Sequence, residues 1–119
     1  MKNVKDIVYG AISGVVENTT DSYPSNFENL PAVQYIEDEN SVYERTGNKE
    51  DKAYVRYIVD IWDRKSTSQT TLEIDKAISA IGLVRTSCKD VPEQGGLKHK
   101  HMVYEGIIDM DSEIVYWAK

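Results

Sequence analysis

The segment 53–63 constrains the fold more than any other part of the chain, because every second side chain from Ala53 to Ile61 is apolar. Neighbouring side chains of a β-strand point to opposite faces of a sheet, so this period of two predicts a long strand. The face predicted to join the core carries Ala53, Val55, Tyr57, Val59 and Ile61. The other face carries Tyr54, Arg56, Ile58, Asp60 and Trp62. Because that second face mixes charged and apolar side chains, we expect a helix or another subunit to contact it.

Hydrophobic periodicity and turn residues predict the other elements. Apolar residues at three- and four-residue steps indicate a first helix over 2–16 and a second that follows 66–71, with Gly82 as its left-handed C-cap. Further strands are predicted over 31–37, 41–46, 83–88 and 98–110, and 113–117 is either a short terminal strand or a tail.

The first helix has an apolar stripe and contains two glycines. The predicted stripe consists of Val4, Ile7, Val8, Ala11 and Val15. Gly10 and Gly14 each weaken a helix by about 1 kcal/mol relative to alanine, so we expect them to permit close approach of a neighbouring backbone. The residues 18–26 are rich in turn formers and are predicted to contain no regular element.

These elements predict an α+β fold in the order α-β-β-β-α-β-β. Strands joined by short turns pair antiparallel, which gives a mainly four- to five-stranded antiparallel sheet. Two helices cannot cover both faces of such a sheet, so we expect both on one face. The chain of 119 residues is then one domain, 1–119, with 111–119 as a candidate flexible tail.

Charge and composition exclude several classes of function. The 14 Lys and Arg against 20 Asp and Glu give a net charge of −6, and no basic run marks a nucleic-acid patch, so the chain should repel DNA on average. No stretch approaches the roughly 20 apolar residues of a membrane span. The single cysteine, Cys88, excludes an internal disulfide and a multi-cysteine metal cluster.

His99 and His101 are two residues apart on a predicted strand, so both point the same way and offer half of a metal site. A carboxylate from elsewhere would have to complete it, and the flanking Lys98 and Lys100 add positive charge. Surface histidines are therefore the favoured interpretation, and the sequence predicts neither a metal nor a cofactor.

Other candidate catalytic groups are equally weak. A nucleophilic Cys88 would need His99 to approach in space, and a small buried thiol is the more common role for a lone strand cysteine. Asp60 and Glu105 lie on separate predicted strands and could pair across the sheet, although a solvated acidic face is the favoured interpretation. No phosphate-binding glycine loop is present, so the sequence predicts no catalytic residue and no enzyme.

Two regions are candidates for a subunit or partner interface: the mixed face of the long strand and the charged tip of the hairpin before it. A solvated loop and ordinary sheet packing remain the alternatives. The candidate interface residues are Glu44, Arg45, Asn48, Lys49, Asp51, Arg56, Ile58 and Trp62.

Several segments, in their order and spacing, resemble tail-completion proteins of long-tailed phages and prophages, also called tail-terminator or head–tail joining proteins. Residues 88–101 depart from that family's pattern. The similar segments are Leu30–Glu37, Asn40–Thr46, Val55–Trp62, Ala77–Thr86 and Tyr104–Asp109.

The resemblance implies a curved antiparallel sheet with helices packed on it, in a subunit without catalytic residues. It also implies a ring, commonly hexameric, that caps the tail tube and joins it to the head connector. The implied partners are further copies of the chain, the tail tube protein and the head connector protein. DNA would pass through without specific binding, and no membrane is involved. The implied location is the virion neck, and the host cytoplasm during assembly.

Two other classes of function stay open from the residues alone. An acidic protein-binding module, such as an inhibitor or immunity-type protein, would use the negative surface to steer association with a basic enzyme. A small α+β enzyme is the third class, and it would depend on His99 or Cys88.

Overall fold

A computed structural model describes residues 4–24, 27–112 and 114–116, and within them the chain is an α+β fold with two helices and a six-stranded mixed sheet. The predicted fold class and element order are confirmed, with one further short strand at the end. The elements are α1 (Lys5–Ser13), β1 (Asn18–Thr20), β2 (Ala32–Thr46), β3 (Lys49–Asp63), α2 (Ser68–Ser79), β4 (Val84–Val91), β5 (Lys98–Asp109) and β6 (Val115–Tyr116).

The sheet has the strand order β1-β2-β3-β5-β4, and β6 pairs with β5 beyond the end of β4. All neighbours pair antiparallel except β1, which is parallel to β2. The prediction of a four- to five-stranded antiparallel sheet therefore missed the parallel edge strand.

Both helices pack on one face of the sheet, as predicted. The core lies between the helices and that face. The alternation along β3 is confirmed, since its predicted core side chains are all fully buried. Their partners from the helices and from β5 are Val8, Ile12, Ile74, Ile78, Met102, Tyr104 and Ile108.

The strand β2 is continuous where two strands and a turn were predicted. A β-bulge between Glu37 and Glu39 leaves Asp38 without a cross-strand partner, and the ladder with β3 resumes at the next residue. A bulge inserts one extra residue without ending the pairing, so the acidic run does not become a turn. The predicted turn segment 18–26 contains β1, and its residues 25–26 lie outside the described part of the chain.

The buried stripe of α1 differs from the predicted one. Val4, Val8 and Ile12 face the core at four-residue steps, whereas the side chain of Ile7 is 55% exposed. Nothing lies within 4 Å of a Cβ placed on Gly10, so the prediction of a close backbone neighbour there is wrong. A Cβ on Gly14 would meet only carbonyl oxygens of α1 itself.

Glycines are required at two positions near the end of the sheet. Gly82 has a φ of 112°, and a Cβ there would lie 2.1 Å from the carbonyl oxygen of Val115. A Cβ on Gly106 would lie 2.7 Å from a methyl group of Leu83. These close approaches let β6 and the segment after α2 pack against β5. The other residues of the predicted terminal strand, Glu113 and Trp117, lie outside the described residues.

The outer part of the β2–β3 hairpin, residues 38–52, forms an arm that extends beyond the helices. From Asp38 to Thr46 nearly every side chain of β2 is exposed, on both faces of the strand. The molecule measures 54 × 25 × 21 Å as a result. Neither described helix has the length and apolar character needed to cross a membrane.

Candidate functional site

Chemistry-bearing side chains collect on the face of the sheet opposite the helices, near the start of β5. The antiparallel register places Asp60 of β3 directly opposite His101 of β5, and Trp62 opposite His99. Because side chains two residues apart share a face, His99, His101 and Asp60 converge from two adjacent strands. This juxtaposition depends on the pairing of residues about forty positions apart.

The three side chains are in direct contact. Oδ1 of Asp60 lies 2.7 Å from Nε2 of His99 and 2.7 Å from Nδ1 of His101. One potential ligand atom from each residue lies within 4.8 Å of the other two. The side chains of His99 and Asp60 are only 11% and 14% exposed, so the interpretation of surface histidines is wrong.

A second carboxylate and an aromatic ring hold His99 in place. Nδ1 of His99 lies 2.9 Å from Oε1 of Glu93, in the loop between β4 and β5. The indole of Trp62 stacks on the imidazole with ring centroids 4.5 Å apart, and its Nε1 donates a hydrogen bond of 3.4 Å to the same carboxylate. Tyr23 and Phe27 pack around that indole. Sequence reasoning missed Glu93, because no local pattern links a loop carboxylate to a histidine six residues later.

Asp60 and Glu105 do not pair across the sheet. Glu105 lies opposite Arg56 in the ladder, and it accepts a hydrogen bond from the hydroxyl of Tyr54. Burial, together with that hydrogen bond, raises the pKa of Tyr54 to about 12.

The flanking lysines do not compete with the histidines for space. The alternation of β5 places Lys98 and Lys100 on the opposite face from His99 and His101. Lys100 pairs there with Asp90 at 2.7 Å. An exposed cation, Lys89, lies opposite His101 in the β4–β5 ladder, and Arg56 lies farther along β3 on the same face.

Cys88 is exposed on β4, so the prediction of a buried thiol is wrong. Its register partner is Met102, which faces the helices, whereas the histidines face away from them. The sheet therefore separates Cys88 from His99, and the structure does not assemble the Cys-His pair that a nucleophile would need.

Most of the charged interface candidates on the arm already have contacts within the chain. Lys52 pairs with Glu44 at 3.5 Å, Lys49 with Asp111 at 3.3 Å, and Arg56 with Asp38 at 3.3 Å. The carboxylate of Asp51 accepts a hydrogen bond from Thr46, Arg45 lies opposite Glu50, and Asn48 lies in the turn at the tip.

The two apolar candidates differ in exposure. Ile58 is half-buried on the face away from the helices, between Ile36 and Val103 in adjacent strands. Trp62 is only 2% exposed, because Tyr23, Phe27 and His99 surround its ring. Its surface is therefore covered within the chain.

The arm carries two exposed apolar side chains that sequence reasoning did not single out. Val42 is 44% and Tyr43 is 54% exposed, and a register shift between Val42 and Glu44 leaves Tyr43 without a partner in the ladder. The pattern of 41–46 predicts a strand, but it leaves open whether Tyr43 packs in the sheet or in an interface.

Two surface grooves accompany these features. A groove of about 620 Å³ runs between the start of α2 and the β4–β5 hairpin, and His99 and Glu93 lie along it. Another, of about 520 Å³, lies between the end of α1 and the segment before β2. Both are open to solvent.

A comparison with models of known protein families finds none that matches this chain, and a search of curated proteins finds no match either.

Proposed function

We propose that this chain is a structural subunit of phage or prophage tail assembly, which caps the tail tube as a ring and joins it to the head connector. The proposal rests on the resemblance of five segments to tail-completion proteins and on the arm at residues 38–52. The arm is the observation that carries it, because an extension with both faces exposed suits contact with a neighbouring copy.

The arm has the properties of a surface that gains stability by contact. Towards its tip, beyond the last β3–β5 pair at Lys52, the arm is a two-stranded hairpin, which is marginally stable in water unless further strands or helices cover it. Here the salt bridges are surface pairs, each worth roughly 0–1 kcal/mol, and Val42 and Tyr43 remain exposed. Seating the arm on another subunit would bury these apolar side chains.

Free backbone edges supply a second kind of contact. In the part of the chain that the structure describes, β1 pairs with β2 only as far as Gln34, and no strand pairs with the outer edge of β2 beyond it. At the opposite side of the sheet, β4 is an exposed edge strand. A ring needs two different surfaces on each copy, and two unlike edges meet that need.

The net charge of −6 is compatible with a channel through which DNA slides, because like charges oppose adhesion. Acidic proteins are common, so charge alone supports the proposal less than the arm does.

The experiment mixes the purified chain with tail tubes from the phage or prophage that encodes it, and images the tube ends by electron microscopy. We expect rings at the ends with the wild-type chain. Val42→Asp and Tyr43→Asp place a charge in the apolar contact, so capping should weaken by about tenfold or more. Leu72→Asp is the matched control, because Leu72 is 64% exposed on α2, away from the arm.

Bare tubes beside free wild-type subunits would contradict the proposal. Equal capping by all three variants would show that the arm is not the contact. Salt-sensitive capture of one basic protein, without binding to tubes, would instead favour an acidic binding module.

A further inference from the structure

We propose that Asp60, His99 and His101 form a binding site for a divalent transition-metal ion, with Zn²⁺ as the best-fitting ion. The site lies on the sheet face opposite the helices and goes beyond the proposed function in tail assembly. It uses different residues from the arm, so the two proposals can fail separately.

The donor set fits such an ion. Two imidazole nitrogens and a carboxylate oxygen are ligands that Zn²⁺ accepts at about 2.0–2.2 Å, which places tetrahedral ligand atoms roughly 3.3 Å apart. The carboxylate of Asp60 lies 2.7 Å from each histidine nitrogen. The three ligand atoms lie within 4.8 Å of one another, so displacements of the order of an ångström would bring them to this spacing around an ion.

The backbone holds the ligands in place before any ion binds. His99 and His101 are fixed two residues apart on β5, and the ladder fixes Asp60 opposite His101 on β3. Both strands lie inside the sheet, with partners on each side. Ligands on such central strands lose little conformational freedom on binding, which favours affinity.

The surroundings of His99 are those of a metal ligand. A ligating histidine commonly donates its other ring N–H to a carboxylate, which fixes the tautomer and the ring orientation. Glu93 is that carboxylate here, at 2.9 Å from Nδ1, and Trp62 stacks on the ring.

Two explanations fit the contacts of His99: a second proton on the ring, or a bound cation. Both of its ring nitrogens lie within 2.9 Å of a carboxylate oxygen, but a neutral imidazole has only one N–H to donate. With the proton on Nδ1 directed to Glu93, the lone pair of Nε2 faces Asp60. A cation between Nε2 and Asp60 would satisfy both groups.

The exposure of the site to solvent and the net charge of the chain both permit a metal ion to bind. The side chain of His101 is 25% exposed, so the site opens to solvent on one side. Three protein ligands leave a fourth position for water in a tetrahedral site. The net charge of −6 favours a cation, although Lys89 on the neighbouring strand and Arg56 on β3 place positive charge on this face.

The test titrates Zn²⁺ into the full chain, prepared without a histidine tag and freed of metal by a chelator, and follows the heat of binding. The chain has only two histidines, so NMR signals of their ring protons report the site directly. We expect one equivalent of Zn²⁺ to bind and both histidine signals to shift.

Variants then identify the ligands. His99→Gln, His101→Gln and Asp60→Asn should each weaken binding by at least about tenfold, and Glu93→Gln by about tenfold through the orientation of His99. Cys88→Ser and Asp90→Asn should bind Zn²⁺ like the wild-type chain, because these exposed residues lie outside the site.

The melting temperature separates loss of the site from loss of the fold. Zn²⁺ should raise the melting temperature of the wild-type chain and of Asp90→Asn, but not that of Asp60→Asn. Unchanged histidine signals at excess Zn²⁺ would overturn the proposal, and so would equal affinity in Asp60→Asn and the wild-type chain. Binding lost in Cys88→Ser would place the ion elsewhere and would overturn it too.

Discussion

Tyr57 and Tyr104 are fully buried, yet each hydroxyl reaches a carboxylate at the margin of the core. Tyr57 donates to Glu37 at 2.9 Å, and Tyr104 donates to Asp75 of α2 at 2.7 Å. Burial raises the pKa of both phenols well above the ordinary value of 10.0, and the adjacent carboxylates raise it further. Both hydroxyls therefore remain protonated in the folded chain at a pH where they would ionise in the unfolded one.

This difference predicts alkaline unfolding. Above pH 10.0 the unfolded chain loses these two protons and the folded chain keeps them, so the free energy of unfolding falls as pH rises. Denaturant unfolding measured between pH 9 and 12 should show this loss, and Tyr57→Phe and Tyr104→Phe should each make it less steep. The exposed Tyr43→Phe is the control, and a reduction of the slope by Tyr43→Phe equal to theirs would contradict the account.

At the scale of single residues, the sequence indicates which side chains could carry chemistry, but not which other side chains they contact. The spacing of His99 and His101 places both on one face of a strand, but it favours surface histidines over a metal site. Asp60 and Glu93 could not be assigned to them, because the contact depends on the register of β3 against β5 and on the path of a loop. The burial of Trp62 by Tyr23 and Phe27 likewise depends on where a distant loop packs.

The sequence predicts the helices and the long strands better than it predicts the bulge in β2 and the edge strand of the sheet. The alternation of β3 and the stripe of α2 are local patterns of burial, and both predict their elements well. The bulge at Asp38 has no local signature apart from a polar run that is also typical of turns. The parallel strand β1 is three residues long and pairs with β2. A segment this short shows no hydrophobic periodicity, so the sequence does not predict it.

Glycine substitutions test the described geometry of α1 and β5. Gly10→Ala should stabilise the chain by about 1 kcal/mol, because the position is helical, exposed and free of steric contact. Gly106→Ala should destabilise it, because the added methyl group would meet Leu83 at 2.7 Å. Denaturant unfolding measures both changes, and a destabilising Gly10→Ala would show that α1 packs against something at that face.

At the scale of the whole molecule, the helices cover one face of the sheet and enclose the core. The arm and the cluster of Asp60, His99 and His101 lie outside that core. The fold class followed from the order of the elements and from the count of helices against strands. The length of the arm did not, because it depends on register shifts that let β2 stay paired with β3 as far as Thr46. The proposed ring uses the arm and the sheet edges, whereas the proposed metal site uses the face between them.

The most direct test of the proposed role in tail assembly is disruption of the gene in the phage or prophage to which the proposal assigns it, followed by electron microscopy of the particles after induction. If copies of this chain cap the tail and join it to the head, filled heads should accumulate apart from unjoined or over-long tails. Expression of the wild-type chain from a plasmid should restore whole particles, and the Val42→Asp chain should restore fewer. Complete, infectious particles formed without the chain would contradict the account.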